Sequence, residues 1–542
     1  MKAICQTGSF EAFSMYNAIY VDKTELIYSL VSLPNRIFIS RPRRFGKSLT
    51  LDTIATLFET GVEPYFKGTW IYDKWTEPTY PVLRLNFLNF DKNSLEKFNN
   101  KLNSKITEFA ELNQVTTYKE KEEAEDSIDH LLEQLRLEGR QIVILIDEYD
   151  CQMTANINNE TLYKQFQEKI KSFYANIKDK FAIKFLGITG VTRLKDVSIF
   201  SVGSDINDIT NASAYSQMIG FTRDEIKKYY IDYLKLASSY ENNCSVDDVT
   251  DTQLESMLDM MAQNYDGYCF DEDYEKKVFS TWSVNKFFQT MIEKKKVQFG
   301  EYWYDNGGLP SILVNYLKTH ELNIFEYLDK DKFLKVSSDD FKNPTALTTI
   351  NQNVLMCQTG YLTLRSDLNK TSTVALGIPN GEIYKALNRL LANNIFKGNT
   401  DITDDYGRSL LEVGTVDDII NLFNSALNSV SYDNYPIVSE SSVQNMLKLY
   451  LLGAHQEVLS EVHEAKGRAD LVVNTDNRRI VFEFKYAKNE AEAKSKLSEA
   501  VEQIKTRDYG NILPKKNELI RIAAVFNADP KVRAFTENQI VP

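Results

Sequence analysis

Four short apolar runs punctuate the first two hundred residues: RIFIS at 36–40, VLRLNF at 82–87, QIVILI at 141–146 and AIKFLGIT at 182–189. Runs this short and continuously apolar are the pattern of strands buried on both faces, and the intervening segments repeat their apolar residues at helical spacing. The pattern predicts an α/β domain with a parallel sheet covered by helices on both sides. From 220 to 395 the signal becomes largely helical and rich in Tyr and Phe, with local landmarks YDGY at 265–268 and QTGY at 358–361, and it predicts a lid and connector region. Residues 396–435, a polar stretch followed by a short apolar helix, predict a linker or hinge. Beyond it, 436–542 predicts a compact αβββαβ unit with strands at 457–463, 468–474 and 479–486, a helix at 490–507 and a strand at 519–526. The expected domains are therefore 1–219, 220–395, 396–435 as linker, and 436–542.

Composition changes this picture little. The 542 residues are 43% hydrophobic and 26% charged, ordinary for folded protein and too many for one core. No stretch approaches the roughly 18 uninterrupted apolar residues of a membrane helix, and the start lacks a secretory apolar centre, so a cytoplasmic protein with no membrane partner is expected. The five cysteines form no CxxC pair, and the four histidines show no HxxxH or HExxH spacing, which argues against disulfide and zinc frameworks. The net charge of −13 excludes a uniformly basic coat, yet residues 436–542 hold 16 Lys and Arg against 15 Asp and Glu. The acidity lies wholly in the first 435 residues, and a local basic groove stays open.

The first candidate site follows the strand at 36–40, where Arg41-Pro42-Arg43-Arg44-Phe45-Gly46-Lys47-Ser48 leads into a helical run. Strand, loop and helix in that order aim backbone N–H groups and a helix dipole at an anion. Gly46 lets the chain approach phosphates, Lys47 can reach their oxygens, and the Ser48 hydroxyl can ligate Mg²⁺. Arg44, Phe45 and Leu49 complete the expected nucleotide-binding segment. Arg41 stands where the generic motif asks for glycine, putting a side chain at the tight turn. A hundred residues on, the strand at 141–146 ends in Asp147 and Glu148: Asp147 can hold Mg²⁺, and Glu148 can act as general base on an attacking water. The strand at 182–189 ends in Thr189, a candidate sensor of the γ-phosphate. Arg193 beyond it is either a phosphate or neighbouring-subunit contact or a surface ion pair.

The segments YVDKTELI (20–27), SRPRRFGKSL (40–49), VILIDEYD (143–150), TGVTRLKDVSIFS (189–201), GFTRDEI (220–226) and YDGYCF (265–270) resemble successive blocks of the bacterial AAA-ATPase-like family. In that family RPRRFGKS is the usual loop, so Arg41 departs from the generic motif alone. The resemblance implies an AAA-like P-loop NTPase core that binds and hydrolyses ATP with Mg²⁺.

In 436–542, Asp470 and Glu483 stand on neighbouring strands, and Lys485 lies two residues beyond Glu483, which puts both on one face. Two carboxylates can hold a divalent cation against a phosphodiester, and the lysine can position or deprotonate the water. The apolar company of Ile480, Val481, Phe482 and Phe484 makes the strand largely buried, where an acid and a lysine must serve a site or pair as a structural ion bridge. Glu461 is a further metal candidate or a strand-edge residue. GRADLVV, VFEFKYA and the helix Gln503 resemble the PD-(D/E)xK nuclease module that follows the ATPase in this family. That resemblance implies a restriction-endonuclease-like fold, with Asp470, Glu483 and Lys485 as metal and catalytic residues and Gln503 as the helix glutamine. Ala469 replaces the proline that names the motif. The expected whole is an ATPase whose nucleotide state controls a Mg²⁺-dependent phosphodiesterase, with Mn²⁺ as a substitute at the second site. DNA or RNA is the expected partner, and a homo-oligomer stays open. The rival is a regulatory or scaffold ATPase whose last domain binds nucleic acid or protein without cutting.

Overall fold

The computed structural model describes the chain except residues 34, 178–179, 195–205, 306–310, 318–319, 321–323, 345, 348, 371, 397–407, 455–456, 465–466 and 512–514; for 304, 305, 311, 408, 457, 459–464 and 467 it describes backbone only. The chain divides into two compact units, Met1–His320 with Phe333–Ile383, and Glu321–Lys332 with Tyr384–Pro542.

The first unit is built on strands β1 (Asn35–Ser40), β2 (Val82–Asn86), β3 (Ile142–Asp147), β4 (Ile183–Gly190) and β5 (Asn207–Asp208), each predicted strand falling within a residue or two of its apolar run. They form one parallel sheet in the order β2-β3-β4-β1-β5. Every residue of β3 and β4 is buried, because helices cover both faces, which is why those strands read as continuous apolar runs. Parallel pairing aligns the C-terminal ends of β1, β3 and β4 at one edge, where loops gather the polar residues of the site.

Residues beyond 220 join this same unit rather than standing apart. The helices Arg223–Tyr229, Ile231–Asn242, Asp251–Tyr265 and Thr281–Lys294 enclose a core that includes Tyr230, Met257, Tyr265, Phe287 and Phe288, which accounts for the aromatic richness of the segment. The helical pattern concealed a small antiparallel sheet of β6 (Leu334–Ser337), β7 (Thr363–Leu364) and β8 (Thr373–Gly377), in the order β6-β8-β7, whose strands are too short to show a period.

The second unit carries β9 (Glu457–Glu464), β10 (Gly467–Asn474), β11 (Arg478–Ala487), β12 (Glu518–Asn527) and β13 (Ala534–Val541), in the order β13-β12-β11-β10-β9. β11 and β12 run parallel, joined by the helix Glu490–Arg507, and the other pairs are antiparallel. The predicted αβββαβ pattern is present and gains the edge strand β13. One sheet face packs Val472, Val481 and Ala523 against Ala500 and Ile504 of that helix. The other packs Phe482, Phe484 and Phe535 against Phe423. Phe423 belongs to the helix Val416–Asn428, inside the expected linker; Asn424 also exchanges hydrogen bonds of 3.1 and 2.7 Å with the Phe535 backbone. Burial of that apolar helix face makes it part of the unit, while the polar stretch 397–407 lies outside the described residues. No helix among the described residues is long and apolar enough to cross a membrane.

Candidate active sites

Gly46, at φ +106°, turns the chain out of the loop and caps the helix Lys47–Thr60, a backbone angle that glycine takes without strain. Neighbouring residues hold the side chains of Arg41, Arg44 and Phe45. Arg41 is fully buried, donates from Nη1 to the Ser40 carbonyl at 2.9 Å and the Thr210 carbonyl at 2.6 Å, and lies 4.2 Å over the Phe270 ring. Burial pulls its pKa down to about 9, with Asp208 opposing. Arg41 thus occupies the glycine position of the generic motif without filling the phosphate space. Phe45 packs edge-on against Tyr268 and Phe270, and Arg44 lies 4.2 Å over Trp282 while its carbonyl accepts from Thr281 Oγ1 at 3.0 Å. The YDGY landmark therefore braces the loop. Gly360 of the QTGY landmark does so too, since a Cβ there would stand 2.8 Å from Pro42 Cβ.

At the strand ends the predicted polar residues converge. Asp147 accepts from Ser48 Oγ at 2.6 Å, from Thr189 Oγ1 at 2.5 Å and from the Glu148 N–H at 3.0 Å. The Ser48 hydroxyl and Asp147 carboxylate are hard oxygen donors that fit Mg²⁺. Lys47 is buried, donates to the Arg41 and Pro42 carbonyls at 2.9 and 3.1 Å, and stands 4.0 Å from Glu148 Oε1. Glu148 sits at φ +52°, a strained backbone for a non-glycine residue and one that recurs at active sites. Burial raises its pKa, with Lys47 opposing and Asp150 and Asp147 reinforcing, as suits a general base. Asp150 accepts from the Thr192 N–H and hydroxyl at 2.7 and 2.6 Å, which anchors the loop after β4.

Arg193 lies elsewhere. Its guanidinium pairs with Asp208 of β5 and the Lys342 carbonyl, and its N–H donates to Gln358 Oε1 at 3.2 Å. A cavity of about 360 Å³ opens on residues 43–50 and Glu148. Its remaining walls come from Cys5 to Gly8, Tyr20, Gly220 and its neighbours, Trp282 and Asn285. None of these was singled out as a site residue in the sequence, because no local motif joins segments so far apart in the chain.

In the second unit the β10/β11 register pairs Leu471 with Phe482 and, continued by one residue, sets Asp470 across from Glu483. Asp470 Oδ2 accepts from the Phe484 N–H at 2.8 Å, and the Asp470 carbonyl accepts from Gln444 Nε2. Glu483 is fully buried; Oε1 accepts from Lys485 Nζ at 2.9 Å, and Oε2 has no hydrogen-bond partner. Lys485 also donates to Glu440 Oε1 at 3.2 Å and to the Phe484 carbonyl at 3.1 Å. Burial first and then Asp470 raise the Glu483 pKa to about 7 against the pull of Lys485, and burial raises that of Asp470 as well. The three predicted residues thus meet, joined by Glu440 and Gln444, whose helix position gave no signal in the sequence. Gln503 turns to the Tyr509 hydroxyl at 3.4 Å, which Arg507 also contacts at 2.8 Å. The backbone of Glu461 stands opposite Asp470 in the β9/β10 register, while its side chain lies outside the described residues.

An orphaned buried carboxylate oxygen beside a second carboxyl group fits a divalent cation. Among the described residues no cluster of three His, Cys, Asp or Glu closes around a metal position.

Fold and sites together define an ATPase-type P-loop module joined to a nuclease-type sheet module. Residues 5–200 match the family described as "Predicted AAA-ATPase", and residues 438–536 match the PD-(D/E)XK nuclease superfamily. The chain therefore combines an AAA-ATPase-like domain with a PD-(D/E)XK nuclease superfamily domain. It is 26% identical over 529 residues to an uncharacterized protein in the vnfD 5' region of Azotobacter chroococcum mcd 1, covering 94% of this chain and 93% of that one. Similar solved structures include the Walker-type ATPase PABY2304 of Pyrococcus abyssi, at 12% identity and a TM-score of 0.35, covering 67% of this chain and 94% of that chain. Another is Cdc6p from Pyrobaculum aerophilum, at 10% identity and a TM-score of 0.26, covering 68% and 92%.

Proposed function

We propose that the chain binds and hydrolyses ATP with Mg²⁺ in its first unit and that this nucleotide state controls a Mg²⁺-dependent phosphodiesterase acting on nucleic acid in its second. The observation that carries the reading is Glu483: a fully buried carboxylate with one oxygen on Lys485, the other without a partner, and Asp470 across from it. Burial of such a group without compensation is costly, and a bound cation supplies the compensation.

In the first unit Lys47 would exchange its two loop carbonyls for phosphate oxygens, Ser48 and Asp147 would hold Mg²⁺, and Glu148 would take the proton of the attacking water. Thr189 keeps Asp147 oriented. In the second unit Asp470 and Glu483 would hold Mg²⁺ or Mn²⁺, which when bound neutralises charge on the phosphodiester and orients water. Lys485, held as an ammonium by Glu483 and Glu440, would position that water and stabilise charge building on the phosphodiester, the water's proton passing to solvent. The three acceptors around Lys485 Nζ also suit a structural ion pair, and this favours a second reading, a regulatory ATPase that binds nucleic acid without cutting.

The test is cleavage of labelled single- and double-stranded DNA and RNA with Mg²⁺ or Mn²⁺, with and without ATP, for the parent protein and for Glu483→Gln, Lys485→Ala and Lys47→Ala. Metal-dependent cutting lost in the first two variants supports the phosphodiesterase, and its loss in Lys47→Ala supports nucleotide control. Intact ATP hydrolysis with no substrate cut would transfer the function to the second reading.

A further inference from the structure

We propose that the second unit carries a subsite for one unpaired nucleobase of a single-stranded nucleic acid, formed by Tyr432, Tyr435, Phe526 and Arg533. The inference rests on the nucleic-acid reading of that unit and adds what it grips besides the scissile phosphate. These residues line a cavity of about 160 Å³ together with apolar side chains and Asn428. That volume is below the roughly 300 Å³ of sites for larger ligands and suits a single flat ring system.

The cavity joins π faces to a cation. The Arg533 guanidinium lies 3.5 Å over the Tyr432 ring, and Phe526 stacks on Tyr486 at 6.4 Å between centroids. Base stacking on aromatic rings, with a guanidinium serving the adjacent phosphate, is how sequence-tolerant single-strand sites are made. Among the described residues no Asp or Glu lines the cavity. Arg533 itself sits at φ +43°, in the turn where its N–H donates to the Asp529 carbonyl at 3.0 Å, and strain of that kind persists where surroundings impose it.

Position ties the cavity to the carboxylates. Tyr486 follows Lys485 directly on β11, and the β11/β12 register pairs Lys485 with Val525 and Tyr486 with Phe526. With side chains alternating along a strand, Lys485 and Tyr486 emerge on opposite faces at the same end of the sheet. A strand rounding that end would set a phosphate at Asp470, Glu483 and Lys485 and pass a neighbouring base to the aromatic side. A stacked duplex keeps its bases out of reach.

The experiment uses full-length Glu483→Gln, in which cutting is removed, and short DNA and RNA strands carrying 2-aminopurine, the same strands as duplex, and 2-aminopurine nucleoside monophosphate. Single strands should bind with quenched fluorescence. Tyr432→Ala and Arg533→Ala should each weaken single-strand binding by about five- to hundredfold, the range of one stacked base. Duplex affinity should change little, and Tyr432→Phe should restore binding; Tyr432 is 37% exposed, so its truncation spares the core. Unchanged single-strand affinity in both alanine variants, or an equal loss for duplex, overturns the proposal. Free monophosphate binding as tightly as the strand would overturn it in favour of a free nucleotide. Cleavage by the parent protein judges the phosphodiesterase separately: cutting with unaffected single-strand binding removes only the subsite, and lost binding without any cutting removes only the nuclease.

Discussion

Replacing Glu483 by Gln should abolish a pH dependence of stability that is expected of the parent protein between about pH 4.5 and 7. Glu483 is buried beside Asp470, and its folded-state pKa lies at about 7 against an ordinary 4.5. Between those values the folded chain keeps a proton that the unfolded chain has released, so stability is fully present below about 4.5 and is lost as pH rises through 7. At ~1.4 kcal/mol per tenfold change in proton affinity, the loss amounts to about 3 kcal/mol. Glutamine keeps an acceptor for Lys485 and cannot ionise, so its own baseline stability is separate from the slope. The assay is urea unfolding of parent and variant in metal-free buffer across pH 5 to 8, with the difference between the two curves taken at each pH. That subtraction cancels buried carboxyl groups remote from Glu483, Glu148 and Asp266 among them, whose pKa values burial also raises. A parent curve parallel to the glutamine curve across the whole range would refute the reasoning, because it would mean that Glu483 is ionised and compensated without a cation.

Three further outcomes are expected. Mg²⁺ added at pH 8 should raise the unfolding midpoint of the parent protein and leave Glu483→Gln nearly unmoved in the same transition, read by calorimetry; equal shifts would place the cation elsewhere. Thr189→Val removes the 2.5 Å hydrogen bond to Asp147, and should lower the ATP turnover rate about tenfold or more, some 1.4 kcal/mol of transition-state stabilisation. Affinity for a fluorescent ATP analogue should barely change, and an affinity loss as large as the rate loss would contradict the orienting role. Arg193→Ala breaks the pair with Asp208 and should cost about 1–3 kcal/mol of stability in the first unit with turnover per folded molecule unchanged. A turnover defect at an unchanged midpoint would instead make Arg193 a phosphate contact.

Much of both sites is legible along the chain because their signals are local. Strands that must be buried on both faces have to be apolar without interruption, so β1 to β4 could be placed from RIFIS, VLRLNF, QIVILI and AIKFLGIT. The Gly46-Lys47-Ser48 turn, the Asp147-Glu148 strand end and the same-face pair of Glu483 and Lys485 follow from fixed geometry over a few residues. Helix 490–507 was also plain from its pattern. What the pattern could not show depends on partners distant in sequence. The helix Val416–Asn428 reads as hinge until Phe423 is seen against Phe482. Strand β13 mixes polar and apolar residues because it is an edge with one side exposed.

The sequence by itself determined the order and polarity of β1 to β4 and of β9 to β12 and the identity of the loop and strand-end residues, because backbone periodicity and glycine geometry act over neighbouring residues. The tertiary structure alone decided where Arg41 puts its guanidinium, that Arg193 serves Asp208, that Glu440 and Gln444 join the second site, and that segments near residues 6, 220 and 283 wall the first. It also raised the Glu483 pKa, through burial and the neighbouring Asp470. Burial and the identity of charged neighbours set a pKa and a contact, and both are produced by chain segments that meet only when the sheets and helices have packed.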